Sequence, residues 1–478
     1  MGLQKNFVYS SILTVSNYVF PLIIFPYIFR VLGVANVGIC SFIDNIINYF
    51  VIFSMLGVSA IGIRETAASR TNKEQLNKVF SSLITLNGLF TVVLLCILIL
   101  CTQFIDKLNE YQHLLYIGAF KLFFNFLLIE WFYTGLEDFK YITERSLLVK
   151  LFYVIAVFVF VRKEKDYDIY FVLTVLMVVV NAIINIARSW RIVNYSIRDV
   201  NLKKYFKAYV VLGVYMILAT MYTSFNIIFL GFTSTNEEVG YFSTIYKLII
   251  IFLAIYTAWT NVVMPRMSSL FSGGEYDEFK QLIKKSISIL LSFSVPIIII
   301  GMIFSSDIIL LISGKGYEKA AILLQILMPL IFIIGYSQIL VMQILIPYKA
   351  DKLLVFVSGS SAFLGILLNV LLVPLLHSIG SSVSWLSSEL CVLVLAQFFT
   401  YKKIGIKFPI KIFFRNIIAY LPAVLFCILI YFYVTNIFFI RLIIASVFML
   451  IYFVTVQYFY LKNDFFLSKF NKILKVVF

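Results

Sequence analysis

Apolar runs of about 20 residues, each closed by a short polar break, recur from one end of the chain to the other. A helix needs ~20 such residues to cross the ~30 Å of hydrocarbon in a bilayer. Fourteen runs fall at about 8–29, 37–62, 79–101, 113–134, 144–161, 168–188, 209–231, 239–263, 286–304, 321–346, 353–375, 380–400, 416–435 and 441–461. In hydrocarbon a backbone polar group has no water to turn to, so each run is expected to be a helix that pairs its own backbone. The pattern predicts an all-α polytopic membrane protein of about 14 transmembrane helices. Connections are short, and the longest, near 188–208 and 264–285, hold about 20 residues. The first run begins near Phe7 without a small-residue cleavage site and reads as a retained helix.

An internal repeat organises the runs. Leu32-Gly33 is echoed by Leu230-Gly231, and three anchors share an offset of 202 residues: Val37-Gly38 with Val239-Gly240, Ser41 with Ser243, and Arg64 with Arg266. Six spans separate the copies, and an even number gives both the same orientation in the membrane. The expected layout is therefore two pseudo-symmetric six-helix lobes about an axis along the membrane normal, with a site between them. The lobes are placed at 1–208 and 209–401, followed at 402–478 by an accessory helix pair and a basic cytoplasmic tail.

Polar residues inside the runs are the candidates for function, because a charge at the centre of a membrane helix costs roughly 2.5–3.5 kcal/mol on insertion scales. Ser41, Asp44, Asn45 and Asn48 share one helical face. Lys121, with Asn125 a turn further on, Lys247 (the repeat equivalent of Asn45) and Glu389 are also deep. Arg30 ends the first run after Pro21 and Pro26, and Arg64 and Arg266 are expected at the inner ends of the second spans of the two lobes. Each has a bland reading: a hydrogen-bonded helix contact for the Asp44 face, a structural ion pair for Lys121 and Lys247, an interfacial anchor for Arg30. Arg64 and Arg266 also satisfy the positive-inside rule. The functional reading is a cavity in which Arg30, Arg64, Lys121, Lys247 and Arg266 meet an anion, with Asp44 and Glu389 as candidates for proton or ion coupling. Guanidinium forks suit phosphate in particular.

Composition narrows the class. The 478 residues are 62% hydrophobic and 13% charged, against about 45–50% apolar in a soluble domain. The net charge of +16 does not mark a nucleic-acid binder, because the positive residues lie between the runs. With the N-terminus inside, 28 of the 39 Lys and Arg fall on the cytoplasmic side, 8 on the other, and Lys121, Lys150 and Lys247 inside spans. That imbalance sets the orientation, with both termini cytoplasmic. Cys40, Cys96, Cys101, Cys391 and Cys427 have no metal-ligand spacing, and His113 and His377 are the only histidines. A zinc site, a disulfide framework and a His-based triad are not expected, and no cofactor is implied.

The stretch Phe25-Pro26-Tyr27-Ile28-Phe29-Arg30-Val31-Leu32-Gly33, then Gly38, then Gly62-Ile63-Arg64-Glu65, resembles the opening signature of bacterial Wzx-type O-antigen and capsule repeat-unit flippases of the MATE-like MOP superfamily. Glu130-Trp131-Phe132-Tyr133-Thr134-Gly135-Leu136-Glu137-Asp138 and the residues to Thr143 are similar to the family's segment after span 4, with Glu130 where an Asp is common. A weaker third block is Gln343 to Pro347, followed by Asn369, Pro374, Gly380 and Glu389; here Ser381-Ser382 stand where the family often has Gly-Ala-Ala. The resemblance covers about residues 5–400. It implies alternating access by two six-helix lobes and export of an undecaprenyl-pyrophosphate-linked oligosaccharide across the bacterial inner membrane, with no bond made or broken. It also implies membrane lipids, the glycan polymerase and the chain-length regulator as partners, and no nucleic acid. The rivals are a MATE-type drug or metabolite antiporter, which usually wants an acidic cavity, and an integral-membrane glycan polymerase or acyltransferase, which would need a long catalytic loop or a buried His.

Overall fold

The structure is a computed structural model that describes residues 3–434 and 437–462; the expected basic tail from 463 onward lies outside the described residues. It divides into two compact units, Met1–Gly240 and Tyr241–Phe478. The first holds α1 (Leu3–Met55), α2 (Val58–Ser69), α3 (Lys73–Phe104), α4 (Asp106–Asn109), α5 (Gln112–Asn125), α6 (Glu130–Gly135), α7 (Phe139–Phe160), α8 (Tyr167–Ser189) and α9 (Leu202–Thr233). The start of α10 (Asn236–Ser272) belongs to it, and the rest of α10 to the second unit. There follow α11 (Tyr276–Ile303), α12 (Ser305–Ser313), α13 (Ala320–Leu327), α14 (Leu330–Gln338), α15 (Asp351–Ile404), α16 (Ile410–Tyr433) and α17 (Phe438–Thr455). Among the described residues every regular element is helical, nine helices are long and apolar enough to cross a membrane, and a bent pair within α10 makes a tenth. This is a multi-pass membrane protein.

Two of the nine are far longer than one crossing needs, and each breaks once. In α1 the break is Gly33 (φ 72, ψ 169), a conformation that glycine reaches without the Cβ clash. In α15 it is His377 (φ 50, ψ −125). Each of these helices therefore supplies two arms where the hydropathy pattern has two runs. The repeat shows in the packing beside Gly33. A Cβ on Gly38 would lie 1.8 Å from the Asn236 carbonyl oxygen, and one on Gly240 would lie 2.1 Å from that of Val34. Val34 and Asn236 are themselves 202 residues apart, so the two glycines make the same contact in exchanged roles.

Three expectations about connections and spans are corrected. The loop placed at 264–285 shrinks to Gly273–Glu275, because α10 runs on to Ser272 and α11 starts at Tyr276. Its polar stretch is helix outside the apolar part of α10, stopped at Gly274 (φ 76). The run 113–134 does cross as one span, Gln112–Gly135, but its helix is interrupted: α5 ends at Asn125, and Ile129 takes a left-handed conformation (φ 38) before α6. That conformation is strained for a β-branched residue. Asn185 of α8 pins it, donating to the Leu128 carbonyl while its own carbonyl accepts from the Tyr133 hydroxyl at 2.6 Å. The run 37–62 likewise ends early. Leu56 (φ 37) breaks the chain before α2, and the Gly57 N–H donates to the Tyr209 carbonyl at 3.1 Å.

The short helix α2 then lies against α6. A Cβ on Gly62 would meet the Trp131 ring at 2.4 Å, and one on Gly135 would meet Thr66 at 2.6 Å. The blocks at 62–65 and 130–143 thus form one packing unit, with Val58, Phe80, Trp131, Phe132, Tyr133 and Tyr209 in its buried core. In the second unit the accessory helices α16 and α17 pack through Tyr420, Ala423, Cys427, Ala445 and Met449.

Candidate functional site

The arm of α1 that follows Gly33 presents two faces. Ser41, Phe42, Ile43, Ile46 and Ile47 are buried, whereas Asp44, Asn45 and Asn48 are half-exposed. Helix α5 comes close to the buried face because Gly118 has no side chain, and a Cβ there would lie 2.6 Å from Ile47. One turn along from that approach, Lys121 reaches Asp44, with Nζ 2.5 Å from Oδ1. The Asn48 side-chain amide donates to the other carboxylate oxygen at 3.1 Å, and the Asn45 amide donates to the Ser41 carbonyl at 2.8 Å.

The Lys121 side chain is 13% exposed and that of Asp44 30%. Each charge removes the cost of leaving the other alone among apolar helices. Yet the pair is neither sealed nor forked: one ammonium, a point charge with rotatable donors, faces one carboxylate oxygen. Such a contact opens toward an incoming anion or proton more easily than a bidentate guanidinium pair does.

The other expected site residues are scattered. Arg30 is exposed, three residues before the Gly33 break. Arg64 lies on the separate helix α2 rather than on the end of the second span, is 66% exposed, and pairs with its neighbour Glu65 at 3.0 Å. In the second unit Lys247 is half-buried on α10, and Arg266, on the same helix, pairs with Glu278 at 2.9 Å with both side chains more than half exposed. Arg64 lies on a helix of its own after the break at Leu56, whereas Arg266 stays on α10, beyond the 43° bend between Ala254 and Tyr256. Glu389 is buried on the arm of α15 after His377, 5% exposed and one turn past the buried Trp385.

Two more ion pairs with a buried side chain join residues that were not singled out as site candidates in the sequence. Arg145 of α7, with a side chain 4% exposed, donates to Glu130 at 2.8 Å and fastens α6 to α7. Arg441 of α17 grips Asp307 of α12 with Nε and Nη2, the Nε contact at 2.7 Å, and lies over the Tyr431 ring at 4.6 Å. The signal for both was a charge beside a run, which topology alone also explains.

The family described as polysaccharide biosynthesis protein matches residues 3–271, more than half of the chain. The chain belongs to that family. The resemblance read from the Phe25–Gly33 stretch and the blocks after it holds. A protein of Escherichia coli (strain K12) described as "Putative O-antigen transporter" is 26% identical over 408 residues, covering 84% of this chain and 97% of that protein. A protein of Shigella dysenteriae with the same description is 24% identical over 369 residues, covering 74% and 88%. In fold the chain is similar to the lipid II flippase MurJ in an inward closed conformation, with a TM-score of 0.75, 17% identity and coverage of 95% and 99%. An inward-facing multidrug resistance MATE family transporter of the MOP superfamily follows at TM-score 0.63, 11% identity and coverage of 85% and 95%.

Proposed function

We propose that this family member is a flippase that moves an undecaprenyl-pyrophosphate-linked oligosaccharide from the cytoplasmic to the periplasmic leaflet of the inner membrane. Both termini lie in the cytoplasm, and two lobes, with boundaries near 208 and 401, alternate access to a central cavity. The observation that carries the reading is the half-exposed Lys121–Asp44 pair inside helices built for hydrocarbon, in a chain whose curated relatives carry transporter names. The substrate brings two phosphates past this height of the membrane. Lys121 and Lys247 receive them, Arg30, Arg64 and Arg266 attract them at the mouths, and Asp44 and Glu389 are the groups available to take a proton or ion. Arg64 and Arg266 exchange a carboxylate for a phosphate when they act, since each is paired at rest. The lipid tail stays in the bilayer and no covalent bond changes.

The test is reconstitution of the purified chain in liposomes with a fluorescent lipid-linked oligosaccharide, scoring translocation and chain extension separately. Translocation without extension is expected. Lys247→Ala should lose it with protein levels unchanged, and Lys247→Arg should keep part. Extension of the glycan by the chain alone would replace this reading with the polymerase, and export of a cationic drug without glycan movement would replace it with the antiporter.

A further inference from the structure

At one end of the second unit the start of α11, the turn after α15 and the start of α16 enclose a groove of about 630 Å³. Its floor is apolar, with Ile283 and Ile287 buried, and Ile404, Ile406, Phe408 and Ile412 close its sides. Four lysines stand around that floor: Lys280 and Lys284, one helical turn apart on α11, Lys407 in the turn, and Lys411 on the first turn of α16. All four are exposed, and among the described residues no Asp or Glu lines the groove. Among the described residues none of the four has an ion-pair partner. The nearest acids along α11, Asp277 and Glu278, come before the groove, and Glu278 is already held by Arg266.

The positive-inside rule accounts for lysines at the ends of spans. It does not account for four of them facing one apolar cavity with no carboxylate among its described lining residues. A groove of that make-up matches a molecule with a negative head and a hydrocarbon body. Between Lys280 and Ile287 it extends roughly 10 Å along α11, at ~1.5 Å per residue. That depth fits a head group and the upper part of acyl chains in one leaflet of a ~30 Å hydrocarbon core. Basic pockets between helices at the cytoplasmic surface are where anionic lipid head groups gather.

We infer that the Lys280–Lys284–Lys407–Lys411 groove is a binding seat for one anionic glycerophospholipid of the surrounding leaflet, separate from the export pathway. The phosphate sits among the four ammonium groups and the acyl chains lie over Ile283 and Ile287, joining α11 to the α15–α16 turn.

The test is native mass spectrometry of the full chain in detergent, titrated with dioleoylphosphatidylglycerol or dioleoylphosphatidylcholine. The wild type should bind one phosphatidylglycerol at least tenfold more tightly than phosphatidylcholine. Each lysine near the site is expected to contribute roughly fivefold, so Lys280→Gln, Lys284→Gln, Lys407→Gln and Lys411→Gln combined should erase the preference. Because that variant can also disturb insertion, Ile410→Trp serves as the second arm. It keeps every charge, sits at an exposed position on the groove, and should fill the cavity and weaken phosphatidylglycerol binding at least tenfold. Equal binding of the two lipids by the wild type, or wild-type affinity in Ile410→Trp, overturns the proposal. So does displacement of phosphatidylglycerol by undecaprenyl phosphate at lower concentration, which would make the groove a substrate site.

Discussion

Two ion pairs set among apolar helices, one in each unit, are built for opposite ends. In the second unit Arg441 meets Asp307 with two nitrogens on two oxygens, its guanidinium on the Tyr431 ring, and side chains 14% and 5% exposed. In the first, Lys121 meets Asp44 through one contact, the second carboxylate oxygen is left to Asn48, and the side chains are 13% and 30% exposed. A planar fork fixes distance and angle together, and a point charge fixes distance alone. The Arg441 pair clamps α17 to α12. The Lys121 pair holds α5 to the arm of α1 after Gly33 in a way that leaves one oxygen on an exchangeable amide and part of the carboxylate facing out. Partner chemistry and access separate a tether from a pairing that can change hands, although both look alike as charges near runs.

The largest effect is expected at the clamp. Arg441→Ala leaves Asp307 buried and alone, and losing one member of a buried pair costs about 3–5 kcal/mol. Thermal unfolding of the detergent-purified protein should show a large drop in stability, and export should fall only as folded protein falls. Arg441→Lys should recover part of the stability, because it restores charge without the fork. Unchanged unfolding of Arg441→Ala would place this pair with the exposed ones and collapse the comparison.

At the half-exposed pair the order reverses, with function hit harder than stability. Lys121→Ala should cost about 1 kcal/mol or less after solvent screening of a carboxylate that is partly exposed. Translocation in liposomes should nevertheless drop at least tenfold. The exchanged variant Asp44→Lys with Lys121→Asp sharpens the contrast: it rebuilds an ion pair and should regain the stability without regaining transport. Recovery of wild-type transport by the exchanged pair would make it a second tether.

What could be read from residues alone divides along the same physical line. Hydropathy is a sum over about 20 residues, so the helical class and the membrane were legible, and so was the isolation of Asp44 and Lys121 as costly charges. Their partnership was not, because they lie 77 residues apart and meet only where Gly118 lets α5 approach Ile47. The breaks at Leu56 and Ile129 were hidden for a related reason: neither residue signals a left-handed turn, and each conformation is held by distant groups, the Tyr209 carbonyl and the Asn185 side chain. Gly33 shows the contrary case, where the residue type itself announces the break. The blocks at 62–65 and 130–143 were visible as motifs, but only the packing of Gly62 on Trp131 explains why they occur together.

The smallest effect is expected at the exposed pairs, Arg64 with Glu65 and Arg266 with Glu278, which extend the comparison to its solvent end. Exposed pairs contribute about 0–1 kcal/mol, so breaking them should leave unfolding nearly unchanged. Their fate in transport depends on whether they meet the pyrophosphate. Arg→Lys keeps the charge that sets topology and removes the fork that grips phosphate oxygens in pairs. A charge-assisted hydrogen bond to the substrate is worth roughly 1.5–3 kcal/mol, so its removal weakens affinity about ten- to a hundredfold. The Arg64→Lys, Arg266→Lys double variant should therefore insert and unfold like the wild type, bind the lipid-linked substrate at least tenfold more weakly, and export slowly. The single variants distinguish one mouth from two. If both arginines serve one entrance, each single change should weaken binding and the double should exceed either. If only Arg266 serves it, Arg64→Lys alone should be silent. Wild-type binding by the double variant would leave both arginines as markers of the inner surface, with transport resting on the half-exposed Lys121–Asp44 pair.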